Sequence, residues 1–102
     1  MKSFAYLENL IEMWGRELQI IQNGKPMGQA IKTAEEVVEL LAAINAQNHE
    51  ETMDAIGDII VTLIMICAQI GVTIPQCMEV SYESIKDRKG YLLPTGVFVK
   101  IE

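Results

Sequence analysis

One acidic residue at the head of an apolar run constrains this 102-residue chain more than any other feature. From Ile59 to Ile70 the sequence reads IIVTLIMICAQI, without a single charge, and Asp58 stands immediately before it. The run is about half of the ~20 residues that a membrane-spanning helix needs, so it reads as a buried core helix. Asp58 therefore lies at the edge of a core. An unpaired charge there costs several kcal/mol or is forced to take up a proton. Such a carboxylate has to be solvated, paired or bound to a cation.

Periodicity places the rest of the chain around that helix. Phe4, Leu7, Leu10, Ile11, Trp14, Leu18 and Ile21 recur every three or four residues, predicting an amphipathic helix over about 3–22. Asn23-Gly24 is a turn signal, and Pro26 opens a second helix, over about 26–46, at a position where no amide donor is lost. Asn48 with Glu51 reads as a capping box starting a third helix, over about 49–70, which Gly71 stops. Thr73, Pro75 and Gln76 open a fourth, over about 74–89. The tail, 91–102, is β-branched and aromatic around Pro94-Thr95-Gly96, and predicts a short hairpin or extended arm. The expected fold is all-α: one domain, 1–102, forming an antiparallel four-helix bundle alone or with a second subunit.

Composition narrows the function. Half of the residues are hydrophobic and 22% charged, as in a packed globule rather than a solvating chain. The formal net charge is −6, and the 8 Lys and Arg are scattered apart from Lys86, Arg88 and Lys89, so no nucleic-acid footprint is expected. Cys67 and Cys77 lie in apolar helical patterns without CxxC spacing; they read as buried small apolar residues of a protein in a reducing cytoplasm. Charges at Glu8, Glu12, Arg16 and Glu17 break up the amino-terminal segment, so neither export nor a membrane partner is expected.

At about 100° per residue, Lys32, Glu36 and Glu39 share one face of the second helix, and Glu51, Asp54 and Asp58 one face of the third. Hard oxygen ligands on two facing helices suit Mg²⁺, which binds through a few carboxylates, keeps waters and engages substrate phosphates. Each motif also has a plainer reading. ExxE is common on solvated helix faces, Lys32 pairs naturally with Glu36 four residues on, and Glu51 serves as a cap.

The order Glu35-Glu36-Val37-Val38-Glu39-Leu40, then Asp54-Ala55-Ile56-Gly57-Asp58 opening an apolar helix, resembles the MazG-like all-α nucleotide pyrophosphohydrolases. Trp14, Gln29, Lys32 and the segment Ile85-Lys86-Asp87-Arg88-Lys89-Gly90 extend the resemblance over nearly the whole chain. It implies a bundle built by a homodimer or homotetramer, and Mg²⁺, with Mn²⁺ as a substitute, held by an ExxE and an ExxD helix. Glu36 and Glu39 match the first pair and Asp58 the final Asp, and these three are the expected catalytic residues. Ala55 stands where the remaining acid belongs. Either Asp54 reaches the metal from one turn away, the assignment favoured because Asp58 directly precedes the apolar helix, or the literal Glu51-Thr-Met-Asp54 supplies the ExxD and Asp58 is secondary. Leu18-Gln19 departs from an Arg-Gly common in short relatives, Val38 from a glycine and Glu83 from an Asn.

The implied reaction is hydrolysis of a (deoxy)nucleoside triphosphate to the monophosphate and pyrophosphate, in the service of nucleotide-pool cleaning. Lys32, Lys86 and Arg88 are the candidates for phosphate contact, and Trp14 and Tyr82 for stacking on a base, although an aromatic on an apolar stripe more often belongs to a core. The alternative is a non-catalytic helical dimerisation or regulatory module. A di-iron carboxylate bundle is disfavoured because His49 cannot supply the paired Glu-x-x-His motifs.

Overall fold

The computed structural model describes residues 1–101; Glu102, the last residue of the predicted tail, lies outside them. Five helices and a hairpin follow in order: α1 Phe4–Glu17, α2 Ile20–Asn23, α3 Pro26–Asn45, α4 His49–Ile70, α5 Ile74–Ile85, β1 Lys89–Leu92 and β2 Phe98–Ile101. The fold is all-α with a short two-stranded appendage.

The helix starts follow their capping chemistry. Ser3 accepts from the Tyr6 amide at 3.2 Å and Asn48 from the Glu51 amide at 3.0 Å, each relieving an orphan donor of a first turn. At α5 the reciprocal capping box is complete, Gln76 N–H to Thr73 Oγ1 at 3.3 Å and Thr73 N–H to Gln76 Oε1 at 2.9 Å. Gly71, at φ 80°, ends α4 in the left-handed region that suits glycine.

Two boundaries differ from the sequence reading. The predicted first helix is broken at Leu18-Gln19, where Gln19 adopts φ 60°. The Leu18 amide still bonds Trp14 O, the Gln19 amide turns back to Arg16 O, and Gln22 Nε2 reaches the same Arg16 carbonyl at 3.0 Å. The break turns Ile20 and Ile21 into the core, and Ile21 is 7% exposed. The fourth predicted helix ends at Ile85 rather than Lys89, because Arg88 N–H closes a turn onto Ile85 O and Lys89 pairs with Ile101 in the hairpin. The hairpin itself is as expected, antiparallel, with Leu92 opposite Phe98 and Gly96 at φ 89° in its loop.

Helix α4 is the organising element. By length and composition it would also pass as a membrane span. In this chain it packs against each of the other four helices, most extensively against α3. Ile21, Ile64 and Met65 form the buried centre, with Ile11, Ile20, Ile60, Ala68 and Ile74 around it. Gly15 lets α1 approach: a Cβ there would strike the Met65 thioether and lie 3.2 Å from Ile21 Cδ1. The α3/α4 packing fixes the spacing between the two acidic faces.

Candidate metal centre

Helix α3 carries Glu36 inward, 7% exposed, and Glu39 one turn further on toward solvent. Helix α4 presents Asp58, half-buried, where its apolar run begins. One carboxylate oxygen from each of Glu36, Glu39 and Asp58 lies within 4.8 Å of the others, so the two faces converge as the helical arithmetic predicts. Asp54 and Glu51 stay outside that trio. They line, with Glu39, Asp58 and Ala55, an adjoining cavity of about 470 Å³, so both candidates for a further ligand face the same space.

The electrostatics are those of acids crowded together with too few cations. Lys32 Nζ lies 3.4 Å from Glu36 Oε1 and 3.4 Å from Glu35 Oε2, and these bonds, Glu36 first, raise its own pKa. The second oxygen of Glu36, Oε2, is buried with no hydrogen-bond partner among the described residues. A neighbouring carboxyl, Glu36, raises the Glu39 carboxyl first by hydrogen bonding and then by charge repulsion. Burial is the first cause of the raised pKa at Asp58, with the charges of Asp54 and Glu36 next. Crowded carboxylates of this kind either hold protons or hold a cation.

The donor set fits a hard divalent ion. Octahedral oxygen ligands at ~2.1 Å stand about 3 to 4 Å from one another, close to the spacing of the trio. An ion there would satisfy the orphaned Glu36 oxygen and offset the mutual repulsion. All three ligand atoms are carboxylate oxygens, which favours Mg²⁺ or Mn²⁺ over a soft, thiolate-seeking metal.

Beside the acids opens a cavity of about 590 Å³, lined by Trp14, Lys25, Gln29, Lys32, Glu36 and Asp58 together with Thr62 and Met65. It brings together Trp14, Lys32 and two of the three acids. Lys25 was not singled out in the sequence. Its signal was available, a cation between the Asn23-Gly24 turn and Pro26, at the mouth of the helix that carries the ExxE. Tyr82, Lys86 and Arg88 line neither acidic cavity. Tyr82 lies on a groove of α5, Lys86 pairs with Glu83 at 2.8 Å, and Arg88 donates to Ser84 Oγ at 3.3 Å. The two cysteines are free, and Cys77 is exposed rather than buried, its Sγ 3.8 Å from that of buried Cys67. Burial and the neighbouring Cys77 push the Cys67 thiol up to about 11.

A helical domain in which ExxE and the head of an apolar helix converge three carboxylates beside such a cavity is a MazG-like all-α pyrophosphohydrolase. More narrowly, the model of the phosphoribosyl-ATP pyrophosphohydrolase family matches residues 22–84, more than half of the chain, and the chain belongs to that family. The match takes in α3, α4 and nearly all of α5, and leaves out α1 with Trp14 and the hairpin. No curated protein and no solved structure matches the chain. The protein is thus a hydrolase of acid anhydrides, a pyrophosphohydrolase acting on a nucleotide-type substrate.

Proposed function

We propose that the protein hydrolyses (deoxy)nucleoside triphosphates at the α-phosphorus, releasing the monophosphate and pyrophosphate, with Mg²⁺ held by Glu36, Glu39 and Asp58. The observation that carries this reading is the convergence of one oxygen from each of the three within 4.8 Å, on a Glu36 whose second contact is wanting: its buried Oε2 has no hydrogen-bond partner among the described residues. A bound Mg²⁺ would supply charge neutralisation for the phosphate oxygens as the bridging bond breaks. The chain's own groups do the rest. Lys32 and Lys25, both on the 590 Å³ cavity, attract and position the polyphosphate, each as a point charge. Trp14, which lines the same cavity, offers an apolar face to the base. A water oxygen bonds to the α-phosphorus, the bond to the β-bridging oxygen breaks, and a carboxylate of the cluster takes the water's proton. The carboxylate least committed to the ion is the one free to serve as that base. Clearing unwanted nucleotides from the pool is the role that suits this chemistry, and the cytoplasm its place.

The family match favours a second substrate reading, a phosphoribosyl-ATP, in which the same anhydride bond is cut and the cavity holds a larger nucleotide. A panel of NTPs, dNTPs and phosphoribosyl-ATP, followed by pyrophosphate release with Mg²⁺ and with EDTA, separates the two. The proposal expects turnover of at least one simple triphosphate, lost with EDTA and reduced by ~10²-fold or more in Glu39→Ala. Turnover of phosphoribosyl-ATP alone would transfer the function to the second reading. Activity untouched by EDTA or by Glu39→Ala would refute the metal-centred chemistry.

A further inference from the structure

The chain buries too little of itself for a self-contained domain. Its accessible surface is 7886 Å², whereas a compact monomer of 11.4 kDa exposes roughly 5,800 Å². The radius of gyration is 15.8 Å against about 13 Å for a compact domain of this length. The excess, roughly 2,100 Å² per chain, is what two chains would remove from solvent in an obligate homodimer, whose interfaces bury about 2,000 to 5,000 Å² in all.

Part of that excess is an arm. Among the described residues, no Cα of either hairpin strand comes within 8 Å of a helix, and an isolated two-stranded hairpin is marginal in water. Yet the arm exposes Leu92 at 68%, Val97 at 57% and Phe98 at 49%. A matching surface exists elsewhere on the chain. Leu63 of α4 and Ile74, Met78, Tyr82 and Ile85 of α5 line an open, almost wholly apolar groove of about 420 Å³. Glu79 and Glu83 lie beside it with Met78 and Tyr82, while the arm carries Lys89 and Lys100. Apolar surface and charge both complement.

We infer that the C-terminal hairpin is an exchanged arm that docks in the α4/α5 groove of a second copy of this chain, each copy giving an arm and receiving one. This stands apart from the reading of the catalysed reaction, and its test uses no activity. Sedimentation of the full chain at micromolar concentration should give twice 11.4 kDa or a multiple of it. Leu92→Lys on the arm and Met78→Glu in the groove, both at exposed positions, should each weaken self-association by about 100-fold while helical circular dichroism is unchanged. Mixing the two variants should then restore a dimer, because the Lys-bearing arm meets the Glu-bearing groove and the other arm and groove are intact. A monomeric wild type, variants that dimerise as tightly as the wild type, or a mixture that stays monomeric would each overturn the inference. Should Leu92→Lys lose its helicity, Val97→Lys, in the hairpin loop, takes its place with the same expectation.

Discussion

The hydroxyls of Thr33 and Thr62 meet at 2.7 Å between α3 and α4, about one helical turn along the chain from Glu36 and Asp58. Thr33 lies three residues before Glu36 and Thr62 four after Asp58, so each shares a helix face with a proposed ligand. Thr33 Oγ1 also lies 2.8 Å from Gln29 O, and Thr62 Oγ1 2.7 Å from Ile59 O. Two hydroxyl protons must serve three contacts. The bridge between helices is therefore the contact most easily given up. Thr62→Val keeps the shape, leaves Thr33 its bond to Gln29 O, and removes the bridge at a cost of about 1 kcal/mol. The expected result is a several-fold rise in the Mg²⁺ concentration giving half-maximal activity, with kcat at saturating Mg²⁺ within about twofold of wild type. A fall in kcat without that rise would mean the pair does not set the spacing of the acids.

The pH dependence follows from the direction of two shifts. The Glu39 and Asp58 carboxyls have raised pKa values in the fold, Glu39 through Glu36 and Asp58 through burial. A carboxyl with a raised folded pKa binds protons in the native state where the unfolded chain has already lost them. Stability of the metal-free protein should therefore fall as pH rises from the ordinary carboxylate range, about pH 4, through the raised values, and level off above them. Divalent cations compete with those protons, so their stabilising effect should grow over the same interval. Melting temperatures against pH, in EDTA and in Mg²⁺, test both signs. Asp58→Asn should flatten the EDTA curve and shrink the Mg²⁺ effect. Curves that stay parallel in the two buffers would count against a shared site.

How much of this was legible in the sequence varies with how local the cause is. Glu36, Glu39 and Asp58 were identifiable because helical spacing and an apolar boundary are properties of neighbouring residues. The hairpin followed from Pro94-Thr95-Gly96 between β-formers. Tyr82, Lys86 and Arg88 were put with the substrate by side-chain type, as an aromatic and two cations, and where α5 sits relative to α3 depends on packing that no local pattern encodes. Lys89 was read as helical because pairing with Ile101 is a nonlocal cause. The break in the first helix left a trace of another kind. The resemblance leads one to expect glycine at position 19, the residue a left-handed backbone prefers, and Gln19 takes that backbone without it.

That residue yields a stability prediction. A non-glycine side chain in the left-handed region costs about 1 to 2 kcal/mol, part of which glycine returns through its greater freedom in the unfolded chain. Gln19→Gly also forfeits the exposed bond from Asn23 Nδ2 to Gln19 Oε1, 2.7 Å long. The net expectation is a gain of about 0.5 kcal/mol with activity unchanged, read as a shifted urea midpoint at constant slope. Gln19→Ala, which loses the bond without gaining the freedom, should gain nothing.

At the crossing of α1 and α4 the sign is reversed. Gly15 is buried, and any Cβ there meets Met65, 1% exposed at the centre of the core. Met65 can swing its flexible thioether aside for one methyl, and alanine's better helix propensity, about 1 kcal/mol, offsets that movement. Gly15→Ala should therefore be close to neutral. Valine adds branched bulk against Met65 and Ile21 together and should cost about 2 kcal/mol or more. Because Trp14 and Met65 both line the 590 Å³ cavity, pushing α1 outward should also raise KM for the nucleotide in Gly15→Val, with kcat less affected. Urea unfolding and steady-state kinetics on the two variants decide it. An equal stability loss for alanine and valine would show that backbone conformation at Gly15, and not the approach of α1 to Met65, is what glycine provides.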